Sequence, residues 1–350
     1  MRIAQIAPLA ESVPPKLYGG TERVVHYLTE ELVRQGHEVT LFASGDSRTS
    51  ARLIAAVPHA LRLDPHVRDP LPHVMLQMEQ VRRRAREFDV LHFHVDIVHF
   101  PIFRELRTRT LTTLHGRLDL PNLVAFYGEF RDMPLASISR DQRRYLPEVN
   151  WIGTVHHGLP PEVLRFTEKP GGDYLAFIGR ISPEKRPDRA IAIAKRAGMR
   201  LRIAAKVDQA DRLYFSNEIE PLLASPGIEF IGEIGERQKA EFLGNARALL
   251  FPVDWPEPFG LVMIEAMACG TPIVAWRCGA VPEVVDEGIS GYVVDSELEA
   301  ARAVSRIDAL DRRRVRSRFE ERFSVERMTR EYVDIYRSLR ERSSAWARAA

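Results

Sequence analysis

The chain has 350 residues, of which 45% are hydrophobic and 28% are charged, and this suits a globular protein of two domains. Its 50 basic and 48 acidic residues give a net charge of +2, so no strong field favours nucleic acid as a partner. Two cysteines, Cys269 and Cys278, are too few for a disulfide framework or a zinc cluster, and a reducing cytoplasm fits best.

Targeting signals are not evident in the sequence. The apolar run at the N-terminus is too short for a signal peptide, and no segment is apolar over the length that a bilayer requires. We therefore expect a cytoplasmic protein. Composition leaves contact with a membrane surface open, and it leaves the oligomeric state unknown.

The first half of the chain alternates predicted strands with predicted helices or irregular crossovers. A buried strand at residues 2–7 leads to Gly19 and Gly20, and a helix capped by Thr21 follows to about residue 34. Further strands are predicted at residues 38–43, 89–94, 109–115, 134–139 and 150–155. This alternation indicates a mostly parallel, doubly wound sheet, in which ligands bind beyond the carboxyl ends of the strands.

Three candidate residues in this half lie at such strand ends. Gly19 and Gly20 follow the first strand, where backbone amides can approach an anionic or hydroxylated ligand. His115 ends the third of the later strands and is followed by glycine. As alternatives without a ligand, the glycine pair forms a simple tight turn, and His115 makes a hydrogen bond to the loop backbone.

The second half restarts the same pattern. Strands are predicted at residues 174–179, 201–205, 228–232, 248–252, 272–275 and 290–294. Helices are predicted at residues 187–197, 209–223, 236–244 and 261–268, with a short one at 279–285 and a helical tail from 308. We expect an N-terminal domain at residues 1–165, a second domain at 166–325 and a final helix at 326–350.

Residues 261–268 form a predicted helix that is apolar all round except for Glu265. Such a helix is normally buried, and a buried carboxylate is costly unless a group pairs with it. Side chains on a helix lean toward its N-terminus, so Glu265 points back to the helix start, where unpaired amides form an anion site. The alternatives are an ion pair with a structural partner and a role in ligand binding.

The segment from Glu257 to Glu265 closely resembles the E-x7-E signature of the retaining family-4 glycosyltransferases. Residues 179–185, GRISPEK, resemble the G-R-x-x-x-E-K motif of the same family, with Arg180 and Lys185 as its cations. The resemblance implies a GT-B fold, which is an α/β architecture of two Rossmann-like doubly wound parallel-sheet domains facing a central cleft. It also implies that the final helix crosses back to the N-terminal domain.

The resemblance implies a role for each matching residue. Arg180 and Lys185 hold the donor diphosphate, and the departing nucleotide gains charge that such cations stabilise. Glu265 binds the ribose, Glu257 contacts the donor sugar, and His115 positions that sugar. The remaining donor-binding residues are the strand-end and turn positions Gly19, Gly20, Ile231, Gly232, Phe259, Gly260, Leu261 and Val262.

The resemblance further implies transfer of a hexose from a nucleoside diphosphate sugar to a hydroxyl acceptor, without a cofactor. The sequence has no Asp-x-Asp motif, so we expect no dependence on a metal. Residues 13–23, VPPKLYGGTER, resemble a bacterial subgroup that includes UDP-glucose:tetrahydrobiopterin glucosyltransferases and antibiotic-modifying glycosyltransferases. UDP-glucose is therefore the favoured donor. A GDP-mannose-dependent mannosyltransferase, a non-catalytic nucleotide-sugar-binding protein and an isomerase of the same architecture are the alternatives.

Overall fold

A computed structural model of the chain describes residues 1–16, 19–62 and 64–349, and their side chains except for Arg237 and residues 342–349. The strands are β1 (Arg2–Ile6), β2 (Glu38–Ser44), β3 (Arg52–Val57), β4 (Val90–Phe93), β5 (Thr110–Thr113), β6 (Leu135–Ser137), β7 (Trp151–Thr154), β8 (Tyr174–Arg180), β9 (Arg200–Lys206), β10 (Ile228–Gly232), β11 (Ala248–Phe251), β12 (Ile273–Trp276) and β13 (Gly291–Val294). Leu17 and Tyr18, which belong to the segment that carries the subgroup resemblance, lie outside the described residues.

The helices follow the strands in an alternating order. They are α1 (Gly20–Arg34), α2 (Leu71–Arg84), α3 (Phe100–Phe103), α4 (Pro121–Glu129), α5 (Arg140–Arg143), α6 (Pro187–Ala197), α7 (Arg212–Tyr214), α8 (Glu220–Leu223), α9 (Glu236–Gly244), α10 (Leu261–Ala268), α11 (Val281–Val284), α12 (Glu297–Ser305), α13 (Arg312–Arg322) and α14 (Val325–Ala349). A π-helical segment, Phe215–Ile219, joins α7 to α8. In the described part of the chain, no helix has both the length and the apolar character needed to cross a bilayer.

The first compact unit comprises Met1–Gly158 together with Val325–Ala350. Its seven strands are all parallel, in the order β3-β2-β1-β4-β5-β6-β7. Apolar residues of the inner strands are buried, as expected for a sheet covered on both faces. Helix α14 packs on α1 and β4, so the last helix belongs to the unit formed by the start of the chain.

The second compact unit comprises Leu159–Ser324. Its six parallel strands have the order β10-β9-β8-β11-β12-β13, and α6 and α12 pack against one another over a single apolar core. In each unit the chain runs outward from the first strand in one direction and then in the other. This is the doubly wound arrangement, so the prediction of two parallel-sheet α/β domains is confirmed.

Two elements were missed by the sequence analysis. Strand β3 lies at the edge of its sheet and is only partly buried, and its short continuous apolar run, LIAAV, does not by itself distinguish a strand from a helix. Helix α12 is capped by Ser296, whose hydroxyl accepts a hydrogen bond from the Glu299 amide. A serine three residues before a glutamate is a recognised start signal for a helix and would have predicted α12.

Two predicted boundaries also need correction. Thr21 does not cap α1, because the helix already begins at Gly20 and its N-cap residue, Gly19, offers no side-chain hydrogen bond. His115 is not part of a strand, because β5 ends at Thr113 and His115 lies in the loop beyond it. Both residues remain at the carboxyl edge of the first sheet.

Candidate donor-binding site

The second unit has a topological switch point between β8 and β11, the adjacent strands from which the chain winds in opposite directions. Loops that leave the carboxyl ends of two such strands diverge, and the crevice between them is the usual ligand site of a doubly wound sheet. Arg180 is the last residue of β8, Lys185 lies in the loop that follows, and Glu257 lies in the loop after β11. The predicted residues of both motifs therefore flank one switch point.

Asp254 fastens these two loops to each other. Its backbone amide donates to the carbonyl oxygen of Glu184 at 2.8 Å. Its carboxylate accepts hydrogen bonds from Arg186 Nη1 at 2.7 Å and from Arg189 Nη2 at 3.1 Å. The loop after β11 is thus held against the loop after β8 by both backbone and charge.

Lys185 and Glu257 form an ion pair across the switch point, between Lys185 Nζ and Glu257 Oε2. The indole Nε1 of Trp255 donates to the same carboxylate oxygen at 3.1 Å. The Lys185 ammonium also lies 5.1 Å from the centroid of the Trp255 ring, within the range of a cation–π interaction. Glu257 is buried, so these contacts compensate the loss of water around its charge.

Gly279 permits the loop to hold Glu257 in this position. Its φ is +55°, and a Cβ atom there would lie 2.4 Å from both the backbone nitrogen and the carbonyl oxygen of Glu257. The next residue, Ala280, donates its amide to the Glu257 carbonyl at 2.9 Å. Only glycine fits such a close approach of two backbones.

Arg180 is surrounded by carboxylates. Its Nη2 donates to Glu184 Oε1 at 2.6 Å, and its Nε lies 3.4 Å from Asp211 Oδ2. About a third of the side chain is exposed, at 36%. The guanidinium is therefore held at the strand end by acidic partners while part of it remains open to solvent.

Glu265 is buried in α10, and its partner is Lys239, a residue that the sequence analysis did not select. Lys239 Nζ donates to Glu265 Oε1 at 2.7 Å, and the carboxylate side chain is only 5% exposed. Lys239 belongs to α9, which packs on α10. The cation lies on a different helix, 26 residues away in sequence, so no local spacing signals the pair.

The N-terminus of α10 is open to a ligand. Gly260 is the N-cap residue with φ of +81°, and no side chain caps the first amides. Gly260, Leu261 and Val262 are partly exposed, whereas the side chain of Phe259 is buried and packs its ring on Phe323. The partial positive charge of a helix start favours an anion at the backbone of these residues.

The C-terminal end of α10 is closed by backbone hydrogen bonds. The amides of Gly270 and Thr271 donate to the carbonyls of Met267 and Ala266, each at 2.9 Å. This pair of bonds is the Schellman motif, with Gly270 just after the helix. The helix therefore has a closed C-terminus and an uncapped N-terminus.

Ile231 and Gly232 lie at the end of β10, where the pairing with β9 shifts register and Gly232 has φ of +74°. Ile231 lines a pocket of about 410 Å³ together with Tyr174, Arg202, Gln238 and Phe242. The two residues thus occupy an irregular strand end beside α9, the helix that carries Lys239.

The candidate residues of the first unit lie at the carboxyl edge of its own sheet. Gly19 and Gly20 begin α1 and are partly exposed. His115 Nε2 lies 2.9 Å from His94 Nδ1, and its ring stacks on that of His157 at 5.3 Å between centroids. Burial lowers the pKa of His115 to about 3, so its imidazole is neutral near pH 7.

Metal ligands do not cluster in the described part of the chain, where no group of three or more histidine, cysteine, aspartate or glutamate residues could hold an ion. Chemically, the second unit offers cations, helix amides and two paired carboxylates. Cations and amides bind phosphate oxygens, and carboxylates accept hydrogen bonds from hydroxyl groups. This set suits a ligand with both phosphates and sugars.

Two family descriptions match the chain. Residues 162–323 match the glycosyl transferases group 1, and residues 18–146 match Glycosyltransferase Family 4. The first range lies within the second unit and the second range lies within the first unit.

Curated relatives match part of the chain. The D-inositol 3-phosphate glycosyltransferase of Saccharomonospora viridis is 36% identical over 182 residues, which are 47% of this chain and 42% of that protein. The protein of the same description from Mycobacterium marinum is 32% identical over 167 residues, which are 41% of this chain and 34% of that protein. The chain thus spans less than half the length of these relatives.

Solved structures match nearly the whole chain. AviGT4, a glycosyltransferase involved in avilamycin A biosynthesis, has a TM-score of 0.73 at 23% identity, with 97% of this chain and 98% of that chain covered. Sucrose-phosphate synthase from Thermosynechococcus elongatus has a TM-score of 0.78 at 20% identity, with the same coverage. Anabaena HepE, solved in complex with UDP-glucose, has a TM-score of 0.72 at 16% identity, with 97% and 100% covered.

The structural neighbours show that the chain has the two parallel-sheet domains of the GT-B fold. The second unit is similar to the glycosyl transferases group 1, and the first unit is similar to Glycosyltransferase Family 4.

Proposed function

We propose that this protein is a retaining glycosyltransferase that moves a hexose from a nucleoside diphosphate sugar to a hydroxyl acceptor. The observation that carries the proposal is the cluster at the switch point of the second unit. There Lys185, paired with Glu257, and Arg180 lie on loops joined by the backbone bond of Asp254 to Glu184. The site lies in the range that matches the glycosyl transferases group 1.

The cations and the helix start would bind the diphosphate. A departing nucleoside diphosphate gains negative charge, and preorganised cations and amides lower the barrier most where that charge develops. Arg180 would offer its exposed edge in a forked contact, Lys185 would act as a point charge, and the amides of Leu261 and Val262 would complete the cradle. Lys185 would then be shared between Glu257 and the phosphate.

The two carboxylates would bind hydroxyl groups. Glu265 would accept hydrogen bonds from the ribose, with Lys239 holding its charge in place, and Glu257 would do the same for the donor sugar. Glu257 is not assigned the role of a nucleophile. In front-face transfer, the leaving phosphate accepts the proton of the acceptor hydroxyl. A covalent intermediate between the sugar and a protein carboxylate is then not required.

The remaining predicted residues would complete the donor site. Ile231 and Gly232 would contact the base through their backbone, and Phe259 and Gly260 would shape the turn before α10. Gly19 and Gly20 would contact the donor through their backbone amides. His115 would hold the donor sugar as a neutral imidazole, because its lowered pKa leaves it uncharged near pH 7.

UDP-glucose is the proposed donor, on the resemblance of residues 13–23 to the bacterial subgroup, and GDP-mannose is the rival. No metal is proposed, because the sequence has no Asp-x-Asp motif. The curated relatives are described as acting on D-inositol 3-phosphate, which makes a phosphorylated cyclitol one candidate acceptor. Antibiotics and pteridines are the candidates that the subgroup resemblance adds.

Nucleotide release from single nucleotide sugars tests the proposal. UDP-glucose, GDP-mannose and a wider panel are each incubated with the protein, with and without candidate acceptors, and free nucleotide and product anomers are followed by NMR. Release of UDP with an α-linked product from an α-linked donor supports the proposal. Tight donor binding without any release would indicate a non-catalytic binding protein. Conversion of the donor without nucleotide release would indicate an isomerase.

A further inference from the structure

A chain of polar side chains, all buried except the half-buried His115, runs along one face of the sheet in the first unit. Gln5 on β1 and His92 on β4 are register partners, and side chains two residues apart on a strand share a face. The hydrogen-bonded pairs are His115 Nε2 to His94 Nδ1 (2.9 Å), His94 Nε2 to Gln5 Oε1 (2.8 Å), Gln5 Nε2 to Tyr336 Oη (3.1 Å), Tyr336 Oη to His92 Nδ1 (2.7 Å), His92 Nε2 to Thr113 Oγ1 (2.8 Å) and Thr113 Oγ1 to Tyr332 Oη (3.0 Å). We call these seven residues the relay.

Every imidazole of the relay carries one proton. Burial lowers the pKa of His92 and His94 well below the usual range and lowers that of His115 to about 3. Burial likewise raises the pKa of Tyr336, so its hydroxyl keeps its proton. A neutral imidazole donates from one nitrogen and accepts at the other, so the direction of each bond in the relay depends on its neighbour.

The Gln5 amide sets that direction, because its nitrogen donates and its oxygen accepts. Gln5 Nε2 donates to Tyr336 Oη, and the hydroxyl proton of Tyr336 then finds its acceptor at His92 Nδ1. On the other side, Gln5 Oε1 accepts from His94 Nε2, so His94 Nδ1 must accept from His115 Nε2. The proton of His115 therefore lies on Nε2, and its Nδ1 carries a lone pair.

A second observation gives the same direction. His115 Nδ1 is buried and has no hydrogen-bond partner among the described residues. Buried N–H groups without a partner are rarer than acceptors without one, so a lone pair at this atom is the favoured state of the unliganded protein. The position is thus prepared for a ligand group that donates a hydrogen bond.

We propose that the relay fixes the tautomer of His115, so that Nδ1 accepts a hydrogen bond from a hydroxyl group of the donor sugar. The sugar in this inference rests on the proposed function, whereas the tautomer rests on the contacts of the first unit alone. Gln5, His94 and Tyr336 are then positioning residues, because they act through His115. An imidazole with the opposite tautomer would present an N–H at Nδ1. The sugar hydroxyl would then have to accept that hydrogen bond and donate its own proton to another group.

Two adjacent threonines on β5 provide a matched test. Thr113→Val removes the acceptor of His92 Nε2 and favours the other tautomer of His92. The Gln5 amide then turns over, so that its oxygen accepts from Tyr336 and its nitrogen donates to His94, and the bond to His115 is reversed as well. Thr112→Val makes the same side-chain change on the opposite face, where Thr112 Oγ1 is 2.7 Å from His99 Nε2. Both threonines are fully buried and each loses a bond to a histidine, but Thr113 also loses its bond to Tyr332, so Thr113→Val is expected to be the less stable of the two variants.

The readout is the tautomer of His115 in the free protein, from long-range ¹H–¹⁵N correlation of the imidazoles, with the His115 signals identified by their loss in His115→Gln. We expect protonated Nε2 in wild type and in Thr112→Val, and a shift toward protonated Nδ1 in Thr113→Val. Gln5→Met interrupts the relay and serves as a second variant, in which His115 should show a mixture of tautomers. Protonated Nδ1 in wild type would overturn the proposal, as would identical spectra for the two threonine variants.

Kinetics separate this inference from the proposed function. We expect Thr113→Val to lower kcat for sugar transfer about tenfold, with the Kd for free UDP unchanged, and Thr112→Val to stay within about twofold of wild type. Equal kcat for Thr113→Val and Thr112→Val would show that the tautomer of His115 does not affect sugar transfer. If no nucleotide sugar turns over in wild type, the proposed function fails, and the NMR result still decides the tautomer.

Discussion

Glu265 and Lys239 form a buried ion pair between α10 and α9, with 2.7 Å between the carboxylate and the ammonium. The sequence analysis found the carboxylate but left its partner open between a structural cation and a ligand. The structure supplies the cation. A buried carboxylate that already has a partner at one oxygen can still accept hydrogen bonds at the other.

Removal of Lys239 tests the structural side of this pair. Lys239→Met leaves the Glu265 carboxylate buried without a cation, and we expect the free energy of unfolding to fall by about 3 kcal/mol. Lys195→Met is the control, because Lys195 is exposed on α6, and its loss should change stability by less than about 0.5 kcal/mol. Urea denaturation measures both. Equal stability of the two variants would mean that Glu265 does not depend on Lys239.

Removal of Lys185 tests the catalytic side of the candidate site. Lys185→Ala should lower kcat/KM for the donor by about a hundredfold or more, because the leaving diphosphate loses a preorganised cation. The Kd for UDP, measured by calorimetry, should rise as well. Lys195→Ala should turn over like wild type, and the thermal melting curve of Lys185→Ala should show a folded protein. Normal turnover in folded Lys185→Ala would exclude the residue from the site.

Alanine variants of two glycines with positive φ, Gly279 and Gly288, distinguish the effect of backbone strain from the effect of displacing Glu257. Gly279→Ala places a Cβ atom against the Glu257 backbone, whereas Gly288 has φ of +73° and nothing within 4 Å of its Cβ position. Both variants should lose about 1 kcal/mol of stability from the strained backbone. Gly279→Ala should lose additional stability and at least tenfold in kcat/KM, because the loop that carries Glu257 must move. Similar activity of the two variants would show that the position of this loop is not critical for transfer.

The parallel sheets and the switch-point loops were predictable from sequence, because buried strands and glycine or proline turns have local patterns. Strand β3 was not, since its short apolar run does not alternate with polar residues and is equally compatible with a helix. Lys239 was not either, because an ion pair between two helices depends on their packing. The same holds for Gln5 and Tyr336, which lie 331 residues apart and meet only when α14 packs on the first sheet.

The buried histidines predict how stability depends on pH. Burial lowers the pKa of His92, His94, His99, His115 and His157 in the folded protein, with that of His99 at about 3. The unfolded chain, with histidine pKa values near 6.5, then binds more protons below that pH than the folded protein does. The stability that these neutral histidines contribute is therefore complete above about pH 6.5 and is lost as the pH falls toward their folded pKa values.

Each buried histidine should lower the free energy of unfolding by about 1.4 kcal/mol between pH 7.5 and 5.5. His99→Gln should reduce the pH dependence by about that amount, because one titrating group is removed. His66→Gln makes the same side-chain change at an exposed position and serves as the control. Urea denaturation at several pH values in this range gives the slopes. If stability depends on pH equally in His99→Gln and in wild type, His99 binds a proton as readily in the folded protein as in the unfolded chain. That result would contradict the effect expected from its burial beside β4 and β5.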